Sequence, residues 1–427
     1  MSARIFVETS AALPLVTMTV TFGVGSVADP AGKEGLARVS ARMLRRGAEG
    51  LTNEQIEERI DLLGGELGVD AGQSAISLSA EVISRNLDAF VDLVAALLQK
   101  PAFPEEEIGR VVREMQAEIV DSRDSDRSLA SRALRRTLFA DHPYGRRVSG
   151  SMESLEKIGR ADVVAWYKKN VTRKNAVLAF SGDLDKDRAH KIAERLLAGL
   201  PEGEGTPTEI AEPGGVRGRH VVLVDRPDRT QVQLGIASLG TTPHDADHLP
   251  WSVGNTAFGG TFTSRLMQEV RAKRGWSYGV SSRIGYDKKR DAFSIWSAPG
   301  QADAGPCLDL ELSLVAEAKK NGLTEEEVDF VKKYLVRSHA FDVDTARKRV
   351  AYPLEEAVFG LPPGWHAAWL DRVRDVGRDA VNAAMSRRLP ANDLVVAAVV
   401  TKSLTGDAIV KAAGNVASVT VLEPDFE

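Results

Sequence analysis

Phe103-Pro-Glu-Glu-Glu-Ile108 and Leu323-Thr-Glu-Glu-Glu-Val328 lie 220 residues apart and read alike: an apolar residue, a helix-starting Pro or Thr, three acids and a β-branched residue. Acids in a first helical turn meet the positive end of the helix dipole, so each stretch predicts the opening of a long charged helix. The likeness extends outward. Leu138-Phe139 answers to Val358-Phe359 and Pro143 to Pro363 at the same offset. Ile158-Gly159-Arg160-Ala161-Asp162 answers to Val376-Gly377-Arg378-Asp379 at an offset of 218, and Asn175-Ala-Val-Leu-Ala179 to Asn392-Asp-Leu-Val-Val396 at 217. A spacing that drifts so little predicts two units sharing one order of elements, an internal duplication.

Each unit opens with strand-like runs in which β-branched residues alternate with smaller or polar ones, at 5–8 with 16–24 and at 221–224 with 231–237. A helix follows at 53–63, with Ile56, Ile60 and Leu63 on one stripe. A further strand pair is expected near 68–82 and near 278–297, then long helices, then a closing apolar strand. Runs of strands and runs of helices, rather than strict alternation, indicate the α+β class: two homologous domains, each a mainly antiparallel β-sheet packed against α-helices. The stretch 199–215 is dominated by Gly, Pro and acids, as in an exposed connection. The expected division is therefore a first domain at 1–200, a linker at 201–218 and a second domain at 219–427.

Composition narrows the function. With 43% hydrophobic and 27% charged residues the chain is globular rather than disordered or fibrous. A net charge of -5 argues against binding nucleic acid through bulk positive charge. The single cysteine, Cys307, rules out an internal disulfide framework and a cysteine-cluster metal site. The longest apolar run, Leu394 to Val400, is about a third of the roughly 20 residues that span a bilayer, so no membrane segment is expected. Glu8 falls where an export signal would need its apolar stretch. The cytoplasm is the expected compartment, with the periplasm open if a signal has been removed.

The stretch Phe258-Gly-Gly-Thr-Phe-Thr-Ser-Arg-Leu-Met-Gln-Glu-Val-Arg-Ala-Lys-Arg-Gly-Trp-Ser-Tyr278 carries a resemblance that covers nearly the whole chain. It resembles the glycine-rich turn, helix and arginine/tyrosine signature of the pitrilysin/insulinase family of zinc peptidases, in the short-subunit branch that includes mitochondrial processing peptidase and paired bacterial homologues. His142-Pro-Tyr-Gly145, Ser181-Gly-Asp183 and the segment 23–43 support it. The resemblance implies that each half is an α+β domain with an antiparallel sheet, and that two subunits close around an unfolded peptide.

The family's zinc site is His-x-x-Glu-His on a helix with a distal glutamate. Two imidazoles four residues apart lie on one helix face and can share a tetrahedral ion, while the glutamate acts as general base. Here the matching segment is Gly35-Leu-Ala-Arg38-Val-Ser-Ala41-Arg42-Met43. Arg38 and Arg42 replace both ligands and Ala41 replaces the base. A guanidinium has no lone pair for a metal. Glu118, 76 residues after Arg42, remains at the distal position. It reads either as a surface glutamate on a long helix or as a carboxylate paired with Arg38 or Arg42 in place of the metal. No cofactor is expected in this chain, and zinc is expected in a partner subunit.

Other candidates carry less. His244-Asp-Ala-Asp-His248 has ligand spacing, but Pro243 and Pro250 bracket it, and an acidic loop or helix start is the plainer reading. His142, His190, His220, His339 and His366 show no ligand spacing. Cys307 reads as a buried small hydrophobe. No Gly-x-Ser-x-Gly elbow supports a serine triad, and Gly254 to Gly260 lacks the lysine of a phosphate loop. Arg132, Arg135 and Arg136 read as a solvated helix face.

Arg271 and Tyr278 keep the family spacing. The resemblance implies that the arginine orients substrate carbonyls and the phenol donates to the developing oxyanion, where fixed donors act most strongly. Their ordinary reading is a surface ion pair and a half-buried strand tyrosine. Gly259 and Gly260 would give the backbone freedom needed beside a bound peptide, or merely a tight turn. Metal ligands erased and transition-state donors kept point to the non-zinc subunit of a heterodimeric metalloendopeptidase, inactive alone, with a zinc-bearing His-x-x-Glu-His homologue as partner and an unfolded peptide as substrate. A purely structural subunit and a chaperone-like peptide-binding module are the alternatives.

Overall fold

The computed structural model describes residues 3–203 and 209–427. Its strands are β1 (Arg4–Thr9), β2 (Leu15–Phe22), β3 (Gly65–Ala71), β4 (Ile76–Ile83), β5 (Ala176–Gly182), β6 (Arg219–Asp225), β7 (Gln233–Leu239), β8 (Val280–Tyr286), β9 (Arg290–Ser297), β10 (Leu394–Val400) and β11 (Ser418–Leu422). Strands β1 to β5 form one sheet in the order β1-β5-β2-β4-β3. The other sheet runs β11-β6-β10-β7-β9-β8, which is the same order with β11 added beyond β6. The duplication thus holds at the level of topology. Helices agree with it: Glu105–Ser122 and Asp126–Phe139 reappear as Glu325–Asp342 and Ala346–Phe359, each 220 residues on.

Both sheets are mainly antiparallel, as expected, with parallel pairing confined to one edge. The first and fifth strands of each unit run side by side in the same direction, β1 with β5 and β6 with β10, and β11 adds a further parallel pair. The helices between β4 and β5, and between β9 and β10, supply the crossover that a parallel neighbour requires. Elsewhere the pairing is antiparallel, with Met18 of β2 opposite Ala80 of β4 and Phe180 of β5. Alternation along β4 sends Ile76, Leu78, Ala80 and Val82 into the core.

The two compact units are not contiguous in sequence. The first takes the described residues of 1–119, 147–210 and 340–367; the second takes 120–146, 211–339 and 368–427. Against the division expected near 201–218, two stretches have therefore changed sides. The Asp126–Phe139 helix packs on β10, β7 and β6, burying Leu129, Ala130, Ala133, Leu134 and Leu138. The Ala346–Phe359 helix packs on β5, β1 and β2. Part of the expected linker, 204–208, lies outside the described residues. On either side of it the chain is anchored: the Arg173 amide donates to the Pro201 carbonyl at 2.9 Å, and Ile210 is buried.

The second core holds a carboxyl group in an apolar setting. Glu311, on the Ala304–Asn321 helix, is only 1% exposed. The Cys307 thiol donates to its Oε1 at 3.6 Å, and its Oε2 has no hydrogen-bond partner. Burial pushes the Glu311 carboxyl up to about 7 and the Cys307 thiol up as well, consistent with an inert, packed cysteine. The folded chain holds a proton on Glu311 that the unfolded chain releases above the ordinary value of 4.5. Stability from this group is complete below 4.5, falls as pH rises to about 7, and is level above that. Glu311→Gln, which keeps the shape and removes the titration, is expected to gain stability over wild type progressively across that window and to hold the gain at pH 8. Thermal unfolding at a series of pH values checks this; wild-type and variant curves that stay parallel would refute it.

Candidate functional site

The helix that matches the zinc motif is Leu36–Met43. Its first-turn amides are satisfied by the buried Asp29, whose carboxylate accepts from Gly35 N and Ala37 N, both at 2.9 Å. Gly35 sits at φ 98°, where a side chain is strained and a Cβ would also meet Leu155 at 2.9 Å. Arg38 and Arg42, one turn apart, project toward the Glu105–Ser122 helix that carries Glu118. Arg42 makes a two-pronged pair with Glu118, at 2.7 Å to Oε1 and 3.0 Å to Oε2. Arg38 reaches Glu118 Oε2 at 3.8 Å and Asp70 Oδ1 at 3.1 Å. The Arg42 hydrogen bonds hold the Glu118 carboxyl below the usual carboxylate range. Ala41 is wholly buried, so a methyl packed into the core stands where the resemblance puts a general base.

The charges around this helix are matched. A cavity of about 760 Å3 opens beside Arg42, Arg45, Arg46, Glu57, Asp70 and Glu114. Arg45 pairs with Glu57 at 2.6 Å and Arg46 with Glu114 at 2.7 Å. Among the described residues no group of three or more His, Cys, Asp or Glu side chains is placed to hold a metal ion. The donor set does not fit zinc: two of the three ligand positions are cations engaged with the third.

The second candidate set lies in the other unit and has the opposite character. The helix His248–Asn255 passes into a π-helical turn, Thr256–Gly260, and a second such turn spans Met267–Ala272 just before Tyr278 and β8. Widened turns of this kind are rare and recur at functional sites. The guanidinium carbon of Arg271 lies 4.9 Å from the centroid of the Tyr278 ring and 4.3 Å from that of Phe262. Tyr278 is 87% exposed and Phe262 69%. No carboxylate among the described residues pairs with Arg271. The one beside it, Glu269, is taken by Lys273 at 2.6 Å and Arg274 at 2.8 Å. Neither half of the ordinary reading of this pair, an arginine in a surface ion pair and a half-buried tyrosine, describes what is found.

Gly259 is buried, and a Cβ there would meet Ser282 Oγ at 2.2 Å, so close packing accounts for that glycine. Gly260 is exposed, with nothing nearer than 3.4 Å to such a Cβ. His248 begins its helix, buried, with Nδ1 2.9 Å from Thr241 Oγ1; burial pushes its pKa down to about 4. The three arginines expected on a solvated helix face are instead engaged within their unit. Arg132 lies over the Phe426 ring, Arg135 pairs with Asp291 at 2.7 Å, and Arg136 donates to the Glu427 carbonyl. Sequence reasoning missed Phe262 and Asp70. Asp70 belongs to no motif, and Phe262, though inside the quoted Phe258–Tyr278 stretch, is marked out there by nothing but its proximity to Arg271 in the fold.

Residues 4–151 match the family profile described as Insulinase (Peptidase family M16), and residues 157–335 match the one described as Peptidase M16 inactive domain. The chain belongs to the M16 peptidase family. A Helicobacter pylori relative named "Non-peptidase homolog YmxG" is 25% identical over 391 residues, covering 91% of this chain and 90% of that protein. An "Uncharacterized zinc protease" of Rickettsia bellii is 27% identical over 351 residues, covering 81% and 83%. Among solved structures, a peptidase M16 inactive domain from Pseudomonas fluorescens superposes with a TM-score of 0.87 at 27% identity, covering 93% of this chain and 95% of that one. A protease from Helicobacter pylori shares the fold at a TM-score of 0.84 and 14% identity. Within M16, this chain is a member without the zinc ligands. No helix among its described residues is long and apolar enough to cross a membrane.

Two arginines at ligand positions predict that the purified M16 chain carries no stoichiometric zinc by elemental analysis. Because both reach Glu118, the double variant Arg38→His with Arg42→His brings three ligands, two imidazoles and a carboxylate, to one place and is expected to bind one zinc per chain. A tightly held zinc in the wild-type chain would refute the reading of this helix.

Proposed function

We propose that this chain is the metal-free subunit of a heterodimeric M16 endopeptidase and lends Arg271 and Tyr278 to a homologue that carries its own His-x-x-Glu-His zinc site. The observation that carries the reading is the contrast between two sites. Arg38 and Arg42 are spent on Glu118, whereas Arg271 and Tyr278 stand together at the surface with their donors unspent. An unpaired guanidinium offers in-plane N–H donors to the carbonyls of an extended peptide. A free phenol beside it can donate to the oxygen on which negative charge grows during attack on an amide. A second reading, a subunit without any part in cleavage, is favoured by the "Non-peptidase homolog" name of the Helicobacter pylori relative.

The test is complementation. The chain alone should not cleave an unstructured fluorogenic peptide, adding zinc ions should not change that, and mixing it with a zinc-bearing homologue from the same organism should switch cleavage on. In that mixture Tyr278→Phe should lower kcat by about 10²- to 10³-fold with little effect on KM. Arg271→Ala should raise KM and lower kcat, because a donor to ground-state carbonyls acts before the chemical step. Size-exclusion chromatography should show the complex intact in both. Full activity of both variants would leave the chain as scaffold.

A further inference from the structure

Among the described residues Arg271 has no carboxylate to hold it, and a long side chain at the surface does not keep one orientation without a partner. Its neighbours are two rings. Phe262 is the one whose exposure is otherwise unexplained, for a phenyl left 69% in water forfeits most of its burial energy. The ring grows from a fixed base. Gly259 abuts Ser282, whose hydroxyl donates to Asn255 Oδ1 at 2.6 Å, while Asn255 Nδ2 donates to the Ser282 carbonyl at 3.2 Å. Just beyond, the Ser264 amide donates to the Thr261 carbonyl at 3.1 Å, closing the turn that carries Phe262 between them. The loop that presents the ring is thus tied to β8 at one end and to its own helix start at the other.

We infer that Phe262 is a positioning residue: by cation–π contact it holds the Arg271 guanidinium beside Tyr278, so that the arginine meets a peptide already oriented. The inference rests on the reading of Arg271 and Tyr278 given above. It adds a third member, which touches the arginine rather than the reacting bond. Holding the donor in place lowers the ordering cost of binding, so the effect of losing the ring falls on KM more than on kcat.

The experiment pairs a spectroscopic and a kinetic readout on the full chain. In protein labelled with 15N-arginine, the Arg271 Nε–H resonance, identified by its absence from Arg271→Lys, should be displaced by ring currents in wild type. It should move toward the exposed-arginine position in Phe262→Leu, which keeps apolar bulk without a π face, and return in Phe262→Tyr. Mixed with the zinc-bearing homologue and the fluorogenic peptide, Phe262→Leu should raise KM about two- to five-fold with kcat largely kept, and Phe262→Tyr should restore it. If wild type cleaves but the resonance is unmoved in Phe262→Leu, or moves without any change in KM, the inference falls while the proposed function stands. A wild-type mixture that does not cleave overturns both.

Discussion

Burial of a strand on both faces is the constraint from which the rest of the architecture follows. Strand β10 is buried along its whole length, and β5 along all but Gly182. A strand in that position needs apolar cover above and below its sheet. Helices of the same half meet each sheet, among them Leu36–Met43, Leu87–Gln99 and Lys186–Leu197 for the first and His248–Asn255 and Asp407–Ala413 for the second. Each sheet also receives a helix from the opposite half of the chain, Asp126–Phe139 for the second sheet and Ala346–Phe359 for the first. Since these helices hold equivalent places in the repeat, the exchange is reciprocal. Each half builds a main core of its own, at 16–200 and 221–413, but part of its sheet is covered by a segment encoded in the other half, so a cut near residues 201–218 followed by separation would strip each sheet of that cover.

Local signals explain what the sequence discloses and what it conceals. The acidic helix starts at Glu105 and Glu325 are short-range features, and they expose the duplication because a helix dipole makes the same demand in both copies. The exchange is hidden because the apolar stripe from Leu129 to Leu138 says only that the helix has a buried face, not which sheet receives it. The fifth strand of each unit illustrates a different loss. Matching Asn175 to Asn392 gives an offset of 217, whereas Ala176–Gly182 and Leu394–Val400 stand 218 apart. A strand buried on both faces lacks the period-two alternation that would set its register. The arginines of the Asp126–Phe139 helix were misleading for a related reason: charge predicts solvent, but Asp291 and the C-terminal residues that meet them are remote in sequence.

At the two candidate sites, spacing is legible and chemical state is not. The motif positions show that ligands are missing at Arg38 and Arg42, yet only the fold shows that Glu118 and Asp70 have absorbed their charge. A pair of this kind, with Glu118 46% exposed, contributes about 1 kcal/mol or less to stability. Its main effect is to close the site to a metal by filling the third ligand position with a salt bridge.

Arg271 shows how the same residue type reaches the opposite state. A chain with 60 acidic and 55 basic residues has no shortage of carboxylates, so an uncompensated arginine is not forced by composition. Local geometry decides it. Glu269 stands two residues before Arg271, a spacing at which helical side chains do not face one another, and four before Lys273, a spacing at which they do. Lys273 and Arg274 take the carboxylate, and Arg271 is turned toward Phe262 and Tyr278. The arrangement leaves a cation and a phenol held against rings but with no carboxylate or hydrogen-bond partner among the described residues, which is the state a site needs if what it binds arrives from outside the chain.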